Sequence, residues 1–363
     1  MVAKPVFFQM DPESVHDGIC RLGTRLGSSP ATRRLFRSLF AFHHPMLEQT
    51  ACGIRFANPV GLAAGFDKNG VLIQLLPSVG FGFEEIGSIT GEPCQGNPRP
   101  RLWRLPKSKG LVVHYGLRND GCEAIARRLH DQRRPFPLGV SIAKTNSPST
   151  AEAAAGIADY AKAYVALSPI ADYLTINISC PNAFGGEPFT DPARLETLLA
   201  ALDAIPSSKP MFLKMPADMT VGHLDAVMEV AAPHRVQGLI FSNLTKDARR
   251  PEIHADEARS IPRGGIGGRP VFAASNELLA HAFQKSSGRF VLIGCGGVFS
   301  AEDAYQKIRL GATLVQLISG MVFEGPQLIG EINRGLTRLL ARDGFSCIKE
   351  AIGSAHRSRA TSP

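Results

Sequence analysis

The sequence predicts an α/β protein, a (β/α)₈ TIM barrel preceded by an amphipathic helical extension. Short apolar runs recur eight times from residue 58 onward, with helical patterns between most of them. The runs are almost continuously apolar rather than alternating, as in a parallel sheet covered on both faces. Polar residues gather where the runs end, and the C-terminal ends of barrel strands are where such folds concentrate chemistry. A doubly wound sheet is the structural alternative. Neither a G-x-G-x-x-G nor a G-x-x-x-x-G-K-[ST] fingerprint is present to support it.

The extension comes first. Asp11 followed by Pro12 makes an N-cap and first-turn pair, and residues 11–42 read as two amphipathic helices. Val15, Ile19, Leu22 and Leu26 form one stripe. After the break at "GSSP", Leu35, Phe36, Leu39, Phe40 and Phe42 form another, with Arg33, Arg34 and Arg37 among them. Such a pair either packs on the barrel or lies on an anionic lipid surface. "ACGIRFANPV" then reads as a hairpin plugging the barrel bottom. The eight expected strands are 58–65, 83–89, 137–143, 172–179, 211–215, 238–243, 289–297 and 314–319, separated by patterns such as "ARLETLLAALDAI" and "AEDAYQKIRLG". The expected organisation is a helical pair over 1–44, a barrel over 45–345 and a flexible basic tail over 346–363.

Composition narrows the function classes. The chain has 363 residues, 44% hydrophobic and 20% charged, enough for a full core and incompatible with wholesale disorder. Formal charge is +8, partly from arginines near the two ends, which suits an anionic surface or ligand; no nucleic-acid partner is expected. The seven cysteines are odd in number, lack a Cys-x-x-Cys and follow no secretory signal, so reduced thiols are expected. No spacing suggests a metal site. No apolar run approaches the roughly 20 residues that cross a bilayer.

The run ends carry the candidate chemistry. Strand one leads into Phe66-Asp67-Lys68, strand two ends at Ser88, and strand four ends in Asn177, Ser179 and Cys180. Strand five carries Lys214, and strand six ends in Ser242-Asn243. A buried strand has little use for two amides, a hydroxyl and a thiol around a proline, as in "NISCPN". Strands seven and eight instead lead into "GCGGVFSAEDA" and "SGMVFEG". Glycine turns there, aimed with a helix N-terminus, are a phosphate site. "GGIGGRP" (264–270) supplies a further close-approach loop.

The motifs "NPVGLAAGFDKNG", "NISCPN", "FLKM", "SNLT", "GGIGGRP", "GCGGVFSAEDA" and "LVQLISGMVFEGP" occur in family order and resemble the dihydroorotate dehydrogenase family. "FFQMDPESVH" and the helical pair after it are similar to its membrane-associated, quinone-using class 2 branch. The resemblance implies an FMN barrel that oxidises dihydroorotate to orotate in pyrimidine synthesis and passes electrons to a quinone admitted between the front helices. It would sit peripherally on the cytoplasmic side of the cell membrane, or in the cytoplasm if those helices only pack on the barrel. The resemblance makes Cys180 the catalytic base, a thiol that a site can tune toward neutrality. Lys68 and Asn177 would contact flavin and substrate, and Asn182 and Asn243 the substrate. Lys214 would stand at the flavin ring, with Ala64, Gly65, Ser88, Ser141 and Ser242 lining it. Gly268, Gly296, Gly297, Ile318 and Ser319 would face its ribityl phosphate through backbone groups.

Five positions, in four motifs, depart from the family pattern. The class 2 branch usually uses Ser as base, where this chain has Cys180. A substrate-binding Asn is replaced by Val113 and the aromatic after it by Leu117. A substrate-binding Thr becomes Leu244, and a flavin-binding Asn becomes Ser141. Losing two polar contacts around a carboxylated, amide-rich ring costs binding. Either neighbours such as His114 or Arg118 compensate, or a related flavin oxidoreductase acts on a less polar cyclic or unsaturated substrate.

Overall fold

A computed structural model of the chain describes residues 3–179, 184, 186 and 188–357. The eight apolar runs close into a barrel of parallel strands in chain order: β1 (Val60–Leu62), β2 (Phe83–Ile89), β3 (Leu138–Ile142), β4 (Tyr173–Asn177), β5 (Met211–Lys214), β6 (Val236–Phe241), β7 (Val291–Cys295) and β8 (Leu314–Leu317). β8 pairs back onto β1 to complete the ring. All but β2 stop before the apolar run does, because the last residues of each run leave the ladder and turn their polar groups or bare backbone toward the mouth.

Three helices precede the barrel: α1 (Ala3–Gln9), α2 (Pro12–Ser28) and α3 (Pro30–Phe40). Seven longer ones ring it: α4 (Cys122–Leu129), α5 (Ala153–Leu167), α6 (Pro192–Asp203), α7 (Val221–Ala231), α8 (Phe272–Ser286), α9 (Ala301–Arg309) and α10 (Leu328–Arg342). Their starts follow local chemistry. Asp191 accepts from the Arg194 N–H ahead of Pro192, and Ser300 accepts from the Asp303 N–H with Glu302 and Asp303 in the first turn. The outward residues of the strands, among them Val60, Ile86, Val140 and Leu174, form the main core with the helix faces.

The barrel interior is filled from the bottom. Phe56, Phe83, Tyr173 and Phe212 form an inner aromatic cluster. Tyr173 and Phe212 occupy the space that side chains on neighbouring strands would need. A Cβ on Gly139 would lie 2.1 Å from the Tyr173 ring, and one on Gly238 2.1 Å from the Phe212 ring. The expected hairpin is present as Gln49–Ala51 paired with Ile54–Phe56, and it inserts Ala51 and Phe56 into this cluster, closing the bottom.

The mouth carries a sheet that the sequence did not announce. Leu102–Leu105, Gly110–Val113 and Gly265–Gly268 pair antiparallel beside it. Gly265–Gly268 is thus a strand rather than the loop expected of "GGIGGRP". With almost no side chains it shows no alternating pattern to read, and the Leu244 side chain packs into the room so left.

The front end also departs in detail. The helix pair is present, with Asp11 accepting from the Ser14 N–H, but α1 precedes it. The face of α2 that meets the barrel is His16, Cys20, Gly23 and Gly27, joined by Leu26 alone of the apolar stripe among the residues packed on the main core. Gly23 and Gly27 rest on Leu72 and Leu75. Ile19 and Leu22 stay 40% and 55% exposed, and Leu35 and Leu39 on α3 55% and 63%. Among the described residues no helix is long and apolar enough to cross a membrane. At the other end, residues 346–357, expected in a flexible tail, pack against the barrel. Ile348 and Ala351 are fully buried, and His356 stacks on Phe283 at 5.2 Å. Basic composition hid these few apolar anchors.

Candidate functional site

The strand ends that leave the ladder converge at the mouth. Ser88 and Ser141, from β2 and β3, share a hydrogen bond of 2.8 Å, and Asn177 at the end of β4 donates to Ser88 Oγ at 2.8 Å. Asn177 Oδ1 accepts from the Ser179 N–H at 3.1 Å and from its hydroxyl at 2.9 Å. Asn243, just beyond β6, donates to Ser179 O at 2.9 Å and to Ser179 Oγ at 3.0 Å. From α5 the Tyr160 hydroxyl donates to Asn177 O at 2.8 Å. One polar chain therefore links four strand ends, and each member fixes the orientation of the next. Cys180 and Asn182, the expected base and substrate contact, lie outside the described residues.

Asn243 also borders a cleft of about 500 Å³, measured out to its open mouth. Ala64, Lys214, Ser242, Gly268, Gly296, Gly297, Ile318 and Ser319 line it, as expected of a cofactor site. Gly65 stands at its edge, where a Cβ would touch Ile318 Cδ1 at 3.6 Å. Gly296 and Gly297 have φ of +101° and +73°, and a Cβ on Gly297 would lie 2.4 Å from that of Phe272. The turn needs glycine for both reasons, and its bare backbone lets a ligand approach closely. With a glycine turn and a buried ammonium both in its lining, the cleft suits a ligand that carries a phosphate.

The ammonium is Lys214. Its Nζ stands 3.8 Å from Glu85 Oε1, with the two side chains 5% and 0% exposed. Glu85 Oε2 accepts from Thr175 Oγ1 at 3.0 Å, Gln316 Nε2 at 3.0 Å and the Tyr173 hydroxyl at 3.3 Å. Oε1 has no hydrogen-bond partner, so Lys214 is the group it faces. Thus a polar layer separates the aromatic floor from the cleft.

Lys68, past β1, has a buried ammonium with no hydrogen-bond partner, 4.1 Å from the centre of the Tyr115 ring. Burial lowers its pKa to about 8, with a further push from Arg118. Its loop is held from outside by α2. His16 Nε2 lies 2.8 Å from Phe66 O, and Cys20 Sγ 3.6 Å from the same nitrogen. Burial, then the Lys68 charge, takes the His16 pKa down to about 4. One turn earlier, buried Glu13 accepts from Arg101 at 2.8 Å and from Arg99 at 3.0 Å, and Asp17 accepts from Arg118 at 3.1 Å.

Sequence reasoning missed Glu85, Tyr115, Glu13 and His16. Adjacent carboxylates inside the apolar run "FEEIGSI" were the available signal for Glu85; Glu13 and His16 fall in "FFQMDPESVH", which marks the family branch and not their contacts. The two departures fall in different surroundings. Leu244 lines the cleft, whereas Val113 packs with Leu111, Phe299 and Phe323.

A sequence model described as dihydroorotate dehydrogenase matches residues 46–340. A Roseiflexus sp. (strain RS-1) protein named dihydroorotate dehydrogenase (quinone) is 40% identical over 355 residues, covering 96% of each chain. A Sphingopyxis alaskensis protein of the same name is 39% identical, covering 97% of this chain and 96% of that one. Among solved structures, a DHODH from Eimeria tenella in complex with ferulenol superimposes with a TM-score of 0.86 at 27% identity, covering 98% of this chain and 99% of that one.

Proposed function

Because the chain belongs to the dihydroorotate dehydrogenase family, we propose that it oxidises dihydroorotate to orotate in pyrimidine biosynthesis, with FMN as cofactor and a quinone as electron acceptor. The observation that carries this is the meeting, at Asn243, of the glycine-cradled cleft and the polar chain from Ser141 to Ser179. A redox ligand in the cleft and a polar ring against the chain would share one contact surface. When bound, the flavin supplies the hydride acceptor on the substrate side and the electron donor on the quinone side.

This chain's residues divide the remaining work. Gly268, Gly296, Gly297, Ile318 and Ser319 hold the phosphate end, and Lys214 offsets negative charge at the ring end. Ala64, Gly65, Ser88, Ser141 and Ser242 line the ring. Lys68 pairs with the substrate carboxylate, which restores to its ammonium the partner that burial denies it. Asn177, Asn182 and Asn243 orient the substrate's amide edge. Cys180 removes the ring proton as thiolate, while the hydride leaves from the neighbouring carbon, so one proton and one hydride, two hydrogens and two electrons in all, depart the substrate.

The front helices serve the acceptor side. Among the described residues, seven of the ten exposed large apolar side chains, Val6, Phe7, Met10, Ile19, Leu22, Leu35 and Leu39, lie between residues 6 and 39, beside exposed Arg34 and Arg37. That combination suits an anionic membrane surface from which a quinone enters. The deciding experiment is anaerobic addition of dihydroorotate to the purified yellow protein. The flavin absorbance should bleach within turnover times and return on adding a short-chain quinone. Cys180→Ala should stay yellow and bleach on the order of a hundred- to ten-thousand-fold more slowly. Wild type that ignores dihydroorotate would sink the assignment.

A further inference from the structure

Lys307 on α9 is 0% exposed, and among the described residues it forms no ion pair. Its Nζ donates to Ser275 Oγ at 2.8 Å and to Asn276 Oδ1 at 2.8 Å, both near the start of α8. Ser275 Oγ donates onward to Cys295 O at 2.6 Å and Phe241 O at 3.0 Å, the last carbonyls of β7 and β6. The next residues along those strands are Gly296 and Ser242, which line the cleft. A Cβ on Gly296 would lie 3.8 Å from Ser275 Cβ, and one on Gly294 would lie 2.9 Å from Lys307 Cδ. The lysine stem therefore runs along the back of β7, and its head stops one serine short of the glycine turn.

Among the described residues no carboxylate pairs with this head, and the Phe272 ring is the one group in contact with it that favours a cation. Its hydrogen-bond partners are neutral, and a buried ammonium without a counter-charge is costly. Burial lowers its pKa to about 7. The Cys295 thiol on β7 and Asp303 on α9 oppose that shift, and the Arg269 charge adds to it. Asp303 is already engaged by Arg269 at 2.7 Å and 2.9 Å. The Phe272 ring, 4.9 Å from Nζ, is the remaining face. An apolar side chain would fill the site without that cost. An anion on the far side of the turn would reward a charge here.

We propose that Lys307 is the buried counter-charge for the ligand phosphate at the Gly296–Gly297 turn, so that phosphate binding and protonation of Lys307 favour one another. It is a positioning residue that acts through Ser275 and the turn. The inference rests on the reading of that turn as the phosphate end of the cleft.

The test compares FMN with riboflavin, which has the same ring and no phosphate. Equilibrium dialysis of the full-length protein gives the free FMN concentration that leaves half of it loaded, at pH 7 and pH 9, where the FMN phosphate stays dianionic. If phosphate raises the Lys307 pKa by about 1.5 units, FMN binds on the order of tenfold more tightly at pH 7 than at pH 9. Riboflavin should show no such change, and Lys307→Met should weaken FMN at pH 7 and flatten its pH dependence. Should that variant fold poorly, calorimetry of wild type in two buffers of different ionisation heat should show net proton uptake with FMN and not with riboflavin. A flat wild-type profile with no proton uptake, or an equal pH dependence for both ligands, would overturn the role of Lys307 while leaving the FMN reading intact. Protein that binds FMN no better than riboflavin at either pH would overturn the reading of the turn, and this inference with it.

Discussion

Replacing Glu85 by Gln removes the charge that Lys214 faces and leaves the amide oxygen to accept from Thr175 and Gln316. At 3.8 Å and an effective dielectric near 20, the lost attraction is roughly 4 kcal/mol. That agrees with the 3–5 kcal/mol that breaking a buried pair usually costs. Unfolding entropy of about 2.1 cal/mol/K per residue over 363 residues is about 0.76 kcal/mol/K, so the flavin-free protein should melt about 5 °C lower. The loss has a redox counterpart. With Glu85 neutral, Lys214 offers an unshared positive charge to the flavin, so reduction becomes easier and the potential of the bound flavin rises. The assay is thermal melting of flavin-free protein, with spectroelectrochemical titration of loaded protein, for Glu85→Gln, Lys214→Met and the double variant. If the two groups form one unit, the double variant should melt well above the sum of the single losses. Additive losses, together with an unmoved potential in Glu85→Gln, would refute the pairing and leave Glu85 as a hydrogen-bond acceptor for the barrel wall alone.

Other perturbations test other parts. His16, with a folded pKa near 4, stays neutral while the unfolded chain takes up its proton, so its contribution to stability falls as pH drops from about 6.5 to 4, by about 3 kcal/mol; melting of wild type against His16→Gln across that window should show the gap. Gly297→Ala places a Cβ at a φ of +73° and 2.4 Å from that of Phe272, so the protein should purify with at least tenfold less flavin, read from its absorbance ratio. Leu244→Thr returns a hydroxyl to the cleft and should lower the KM for dihydroorotate several-fold. Val113→Asn buries an amide among Phe299 and Phe323 and should instead cost about 1–3 kcal/mol in a denaturant melt.

The barrel was legible because a strand covered on both faces must be apolar throughout, which makes Asn177, Lys214 and Asn243 conspicuous in their runs. The same logic failed wherever a residue's partner is remote in sequence. Glu85 reads as a stray charge until closure of the barrel brings Thr175 and Gln316 to it. Lys307 reads as an exposed lysine in the last turn of an amphipathic helix until α8 delivers Ser275 and Asn276. Gly265–Gly268 gave no strand signal because a strand's pattern is written in side chains. On α2 the apolar stripe is split between the two neighbours the sequence left open, with Leu26 packed on the core and Ile19 and Leu22 exposed. Two glycines and a histidine make the closer-packing face, which a count of hydrophobic residues does not rank.

That split bears on how the front end can work. α2 does not merely lie near the substrate side; it rests on the loop that carries Lys68. His16 meets Phe66 O, Thr24 Oγ1 donates to Val71 O at 3.3 Å, and Gly23 lies on Leu72. From beneath, the Asp67 carboxylate accepts from the N–H groups of Val71 at 2.9 Å and Leu72 at 2.6 Å. The loop is clamped between a helix and its own aspartate, with Lys68 in the clamp. The helix's other face carries the exposed Ile19 and Leu22, so about one helix diameter of roughly 10 Å separates that exposed apolar surface from the Lys68 loop. Removing residues 1–44 would therefore strip the cover from Lys68 as well as the apolar surface, and loss of activity in such a truncation could not be assigned to either. Charged replacements at Leu22, Leu35 and Leu39 touch only the outer face. They would separate the proposed membrane docking from substrate oxidation, because Leu22 faces away from the Lys68 loop on α2 and Leu35 and Leu39 stand exposed on α3.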